Sequence, residues 1–527
     1  MITFNSSLST CRRGALYAVL AGACLTYGCG GGGTPSPPSP GTPDASTPVV
    51  PPTLSVITHH NSRTRDGLYV VPGLTRAAAA TLQQDTGFTA AISGPTYAHP
   101  LFFDAGAGGK DLVIVATERN DVYALDAGSG APVWHVNLGP SVPLDKLPCG
   151  NIDPLGITGT PYLDEASKTI YLDAMMLIAD KPQHHIFALS LTDGSPKAGW
   201  PTGGIDANAT VKHGNFTFDS SVQNQRGALL LQGDTLYVPY GGHFGDCGEY
   251  RGWLVGVPLA NPSAPKAWAT RAEGAGSWAP SGVASDGSNV YISTGNGFGA
   301  TVWTDQEAIV RFAPGPVFSE KDADYWAATD WKMLDQFDID LGGSGPVLVH
   351  VDGATPADLA VALGKDGKVY LINRASMGGV SNPVATLSAS EDAIITAAAA
   401  FPSANGVNVT FHGIGKSCPA GQSGDLTTVK ITATSPPKLE TTWCANAAGS
   451  GSPMVTTTDG RAESIVWTIG SEDSQQLRGF NGDTGAVIFA GTGTNVGHFN
   501  RFVSPIVGKG RIYVAGETGV YAFKAHP

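Results

Sequence analysis

The chain has 527 residues; only 14% of them are charged, and 44 acidic against 31 basic side chains leave a net charge of −13. So acidic a chain excludes nucleic acid, which is bound by basic surfaces, and the charge also keeps the folded part off anionic lipid. With 69 Gly and 37 Pro, the composition suits many short strands joined by tight turns.

Arg12-Arg13, an apolar run from Ala15 to Leu25 and Tyr27-Gly28-Cys29 open the chain. A charged start, an apolar run too short to span a bilayer and a small residue before Cys make an export signal. Residues 1–28 are therefore read as a lipoprotein signal peptide with acylation at Cys29; Cys24 is the competing site. Residues 29–53 are rich in Gly, Pro and Ser and cannot bury enough surface to order, so they form a tether. Residues 54–527 are one domain, expected as a monomer in the cell envelope, at the outer membrane and on its periplasmic or surface face. Beyond the leader the chain keeps Cys149, Cys247, Cys418 and Cys444. Four cysteines allow three pairings; the nearest-neighbour choice is Cys149–Cys247 and Cys418–Cys444. No Cys/His spacing suits a structural zinc.

Just ahead of the first repeat, Leu74 to Gln84 reads as a helix lying outside the sheets. From there a strand motif recurs eight times, from Val122-Tyr123-Ala124-Leu125-Asp126 to Val520-Tyr521-Ala522-Phe523. Ahead of each copy lies a second β-branched run, such as Leu112 to Ala116 or Ser464 to Trp467, the composition of strands. Ahead of that a Pro usually opens a third strand: Pro100, Pro161, Pro280, Pro346, Pro453 and Pro505, a position where a missing N–H costs nothing. A fourth follows a Gly-bearing turn, as in Gly128-Ser129-Gly130 before Val133-Trp134, which is hairpin grammar. Four antiparallel strands repeated eight times predict an all-β, eight-bladed β-propeller. The last repeat ends without its outer strand, so Gly87 to Ala91 is expected to close the ring from the N-terminal side, removing open edges.

Tyr123-Ala124-Leu125-Asp126-Ala127, then Gly130 and Trp134, resembles the outer hairpin of the pyrroloquinoline-quinone-type (quinoprotein alcohol dehydrogenase-like) propeller repeat. Stretches such as Cys149 to Pro154, Gln223 to Gly227 and Gly364 to Tyr370 resemble bacterial exported proteins carrying that repeat. The resemblance implies either a quinone- and calcium-dependent dehydrogenase of an alcohol or sugar, or an envelope scaffold without cofactor; fold alone does not choose.

Quinone chemistry needs cations for the cofactor carboxylates and hard oxygen ligands for Ca²⁺. Arg226, behind Asn224 and Gln225 at an inner strand, and Lys365, in the turn Gly364 to Gly367, are the candidate cations. Trp278 is the candidate stacking face, with a wedge between blades as its structural alternative. Asp338, Asp340 and Asn296 are the candidate metal donors, with turn capping as theirs. Glu118 ends a strand and could point inward. Adjacent His184-His185 face opposite sides of a strand. The chain lacks an adjacent Cys pair, and no spacing assembles a hydrolytic triad or a phosphate loop. Tyr325, Trp326, Trp331 and Phe337 form an aromatic insertion, either an exposed partner site or a small core of its own. The expected role is a scaffold or ligand-binding module, its partner a cell-envelope protein or a small molecule. The alternative is the quinone- and calcium-dependent dehydrogenase.

Overall fold

The computed structural model describes residues 51–493 and 496–526; the expected signal peptide, Cys29 and most of the tether lie outside the described residues. Eight antiparallel sheets succeed one another at 101–137, 162–206, 230–269, 284–327, 347–388, 399–445, 454–489 and 506–525. They are blades 1 to 8 of a propeller, each running from its innermost strand outward. Pro100, Pro161, Pro346, Pro453 and Pro505 stand immediately before the innermost strands of their blades. The second strands, such as Leu112–Ala116 and Ile465–Ile469, are buried at every position. A blade sits between two neighbours, so both of its faces need apolar side chains. The outer strand Pro132–Asn137 instead exposes every second residue or more.

The Gly and Trp of the repeat act on each other across blades. The Trp134 indole of blade 1 donates to Leu191 O of blade 2 at 2.8 Å, and Trp443 of blade 6 to Gly482 O of blade 7 at 2.8 Å. The turn glycine of the following blade lies under each ring. Gly194 and Gly485 both have φ +73°, and a Cβ there would lie 2.8 Å from Trp134 and 2.7 Å from Trp443. Glycine is thus required for left-handed backbone and for close approach together.

Ring closure follows the expectation and extends it. Ala90–Ala91 pairs with Gly519 and Val520, and Leu82–Gln84 pairs with Phe523 to Ala525 in the same last blade. The helix expected over 74–84 shrinks to Arg76–Ala79, capped by Thr75, whose hydroxyl accepts from Ala78 N. The free edge of the last strand draws Leu82–Gln84 out of the helix and into the sheet. A second departure is a helix at Trp331–Phe337. The aromatic insertion is not an exposed patch: Tyr325–Ala327 is the outer strand of blade 4, Trp326 is fully buried, and Tyr325 stacks on Trp303 at 4.0 Å. Of the four aromatics only Phe337 projects, at 61% exposure. Both disulfides form with the nearest-neighbour pairing, Cys418–Cys444 within blade 6 and Cys149–Cys247 between the loop ahead of blade 2 and a loop within blade 3.

Residues 53–71 form a strap along the ring's inner edge. Val56 exchanges two hydrogen bonds with Phe102 of blade 1, and Leu163 N of blade 2 donates to Ile57 O. Ser285 N donates to Arg63 O, Leu348 N to Thr64 O and Ala400 N to Asp66 O, in blades 4, 5 and 6. Leu68–Val70 then pairs in parallel with Val455 to Thr457 of blade 7. The fully buried Arg65 guanidinium donates to Leu229 O and Val283 O beside blades 3 and 4. Inner-strand edges that would otherwise face the axis unpaired are thereby satisfied.

Candidate functional site

At the end of the axis where the inner strands begin, loops from several blades enclose a cavity of about 430 Å³. Its wall contains Arg226, Trp278, Lys365, Asp338, Asp340 and Asn296, so residues nominated one by one from the sequence converge on one space. They converge because each loop lies directly ahead of an inner strand or follows a second strand. Trp278 is half-buried and lines the cavity, while its ring also lies close to Gly295 and Gly343, where a Cβ would stand 3.1 Å and 3.0 Å from it.

Lys365 settles what the nearby carboxylates do. Its Nζ lies 2.6 Å from Asp340 Oδ2 and 2.8 Å from Asp338 Oδ1, and 5.5 Å from the centre of the Trp278 ring. Burial opposes the ammonium, but the two carboxylates, Asp340 foremost, outweigh it and raise the Lys365 pKa. Asp340 Oδ1 accepts from Asn296 N at 2.6 Å, tying this cluster to the loop beyond blade 4's second strand. The expected calcium set of Asp338, Asp340 and Asn296 does not fit the ion as the site stands: an ammonium already sits between the two carboxylates, and the other Asp340 oxygen is taken by the Asn296 backbone N–H. Among the described residues no three His, Cys, Asp or Glu side chains stand in metal-holding geometry. Replacing Lys365 with Met strands a buried Asp340 carboxylate, which is expected to cost on the order of 3 kcal/mol. Urea unfolding measures this, and adding Asp340→Asn should recover much of the loss.

Arg226 is held differently. Among the described residues it makes no ion pair; Nη2 donates to Asn151 Oδ1 at 3.4 Å, and Nε is buried without a partner. Burial lowers its pKa, with the Tyr97 and Glu118 side chains acting against that shift. Its expected companions do not join it on the wall of the main cavity. Asn224 is buried in a short strand and lines a small side cavity together with Arg226, whereas Gln225 donates inside blade 3 to Gly227 O and Pro239 O. Gln225 thus ties blade 3 together internally, its amide taken up by the backbone carbonyls of Gly227 and of Pro239 within the second strand.

Glu118 lies fully buried behind the wall. Its Oε2 accepts from Gly156 N at 2.7 Å and Thr158 Oγ1 at 3.1 Å, and burial pushes its pKa up to about 7. Glu307 on Leu341 N and Asp425 on Ala447 N do the same job, both at 2.6 Å. Each carboxylate clamps the connection into the next blade, so Glu118 is a structural clamp. His184 and His185 diverge as expected, the first onto Asp173 at 2.6 Å and the second onto Gly203 O at 2.7 Å.

The cavity also uses residues the sequence did not single out, among them Tyr97, His243, Asp246, Tyr250 and the pair Glu472–Arg501. Arg501 Nη2 lies 2.8 Å from Glu472, and the Tyr250 hydroxyl donates to Asp246 at 2.6 Å. Their only signal was position, a few residues before an inner strand or after a second one. The Cys149–Cys247 disulfide stands just behind this wall, where a Cβ on Gly245 would lie 3.4 Å from Cys149 Sγ.

At the level of sequence, no family model and no curated protein matches the chain. Solved structures do. A quinohemoprotein alcohol dehydrogenase from Comamonas testosteroni is similar over 89% of this chain and 80% of its own, with TM-score 0.57 and 13% identity. A second, from Pseudomonas putida HK5, is similar over 90% and 80%, with TM-score 0.59 and 11% identity. A europium-containing methanol dehydrogenase is similar over 89% and 90%, with TM-score 0.59 and 12% identity. The chain thus has the quinoprotein-type propeller fold, and at these identities the likeness extends to fold alone.

Proposed function

We propose that this propeller is an exported, lipid-anchored module of the cell envelope that binds a small ligand in its axial cavity and carries out no redox turnover. The observation that carries this reading is the Lys365 ammonium seated on Asp338 and Asp340. The carboxylates available to a catalytic cation are consumed by a fixed positive charge, while an open, partly aromatic cavity remains, the usual form of a small-molecule site. Burial of Trp326 and Trp331 removes the surface that would have favoured a protein scaffold. Export and acylation at Cys29 rest on the leader sequence, and two disulfides support an oxidising compartment.

The quinone-dependent dehydrogenase is the second reading, favoured by one observation: Arg226, Trp278 and Lys365 line the same cavity. The two part on calcium and turnover. Under the first, adding Ca²⁺ and pyrroloquinoline quinone leaves the melting temperature unchanged, and no redox dye bleaches with alcohol or aldose. Dye bleaching that needs both additions would establish the second.

A further inference from the structure

We propose that the axial cavity takes an acidic sugar, a ring bearing several hydroxyls and a single carboxylate such as a uronic acid; this rests on the binding-module reading. The charge pattern of the wall carries it. Three cations, Arg226, Lys365 and Arg501, face four carboxylates, Asp246, Asp338, Asp340 and Glu472. Lys365 and Arg501 are already paired with carboxylates. Arg226 alone has no ion pair among the described residues, and its Nε is a buried donor with nothing to donate to. A buried donor left unsatisfied is costly, and a guanidinium is best answered by a carboxylate, often through two parallel hydrogen bonds. The wall as a whole carries one carboxylate more than its cations, so it is Arg226 locally, reached by Glu118 and Asp246 only through longer-range attraction, that offers a place for one carboxylate.

The remaining wall says what else the ligand carries. Ionised carboxylates only accept hydrogen bonds, so Asp338 and Asp246 are matched by a ligand rich in hydroxyl donors. The half-buried ring of Trp278 offers an apolar face suited to the C–H side of a sugar ring. A planar tricarboxylate would bring three negative charges to a wall with one unpaired cation. A ring with one acid group and many hydroxyls satisfies each of these groups. The cavity of about 430 Å³ holds one or two such rings.

Isothermal titration of the full chain without added metal, against glucuronate, glucose and pyrroloquinoline quinone, tests the idea. Glucuronate should bind at least about tenfold more tightly than glucose, with the difference fading as salt is raised. Arg226→Gln should bring glucuronate down to the level of glucose, and Trp278→Ala should weaken both. Because either variant could perturb folding, the wild-type preference is decisive by itself. Equal affinity for the two sugars, or tighter binding of the quinone, overturns the acidic-sugar assignment while leaving a binding module in place. If none of the three binds, the binding-module reading falls with it.

Discussion

Removing residues 51–71 is expected to abolish cooperative folding of the propeller. The strap accepts backbone hydrogen bonds from inner-strand N–H groups of Phe102, Leu163, Ser285, Leu348, Ala400 and Val455, and it brings Arg65 to two further carbonyls. Each donor left buried and unpaired costs about 1–3 kcal/mol, so the six together cost about 10 kcal/mol. That equals the whole stability of an ordinary domain, about 5–15 kcal/mol. Circular dichroism should show a broad, non-cooperative melt in the truncated chain. A melt within a few degrees of the full chain would mean that water or relaxed inner strands replace the strap. Arg65→Met is the milder version, since its guanidinium also donates to Thr58 and His59 O.

The second large effect is loss of stability in acid that traces to three histidines on the axis. His59, His60 and His99 are buried with ring centroids 4.3 to 6.3 Å apart. His59 Nδ1 and both ring nitrogens of His60 and His99 have no hydrogen-bond partner. Burial lowers all three pKa values, that of His60 to about 4; Arg65 adds repulsion at each, and neighbouring imidazoles add it at His59 and His99. A histidine kept neutral in the fold but free to charge when unfolded contributes nothing above pH 6.5. Below that, stability falls until the folded pKa is reached. For His60 alone the loss between pH 6.5 and pH 4 is roughly 3 kcal/mol.

Buried acids work in the opposite direction. Glu118 and Asp335, raised by burial to about 7 and about 6, hold protons in the fold and add stability as pH drops. The diagnostic is therefore the difference between wild type and His60→Gln, followed by urea midpoints from pH 7 to pH 4. Wild type should lose roughly 3 kcal/mol more than the variant over that range. Parallel curves would show that the cluster is hydrated and titrates normally.

The blades were legible because their information is local. Val122 to Trp134 contains its own strand, turn glycine and docking tryptophan, and the copies repeat at similar intervals. The strap was not, because each of its residues answers to a different blade: Ile57 to Leu163, Arg63 to Ser285, Asp66 to Ala400. No periodicity along the chain records such contacts. Leu82–Gln84 reads as helix in sequence because its partner, Phe523 to Ala525, lies at the other end of the chain.

The site was half legible for the same reason. Arg226, Trp278 and Lys365 could be placed near the axis from their positions beside predicted strands. What they do there depends on pairings across blades. Lys365 and Asp338 are 27 residues apart, with two strands of blade 5 between them, and only the folded ring shows that one neutralises the other. Arg226 looks equivalent to Lys365 in sequence and differs from it in making no ion pair among the described residues, whereas Lys365 makes two.

A crystal structure of the protein grown with glucuronate tests the central claim most directly. The expected result is a sugar ring on Trp278 with its carboxylate on Arg226, and the Lys365 contacts to Asp338 and Asp340 intact. A cation seated between those two aspartates with Lys365 displaced, or a ligand bound only outside the axis, would contradict it.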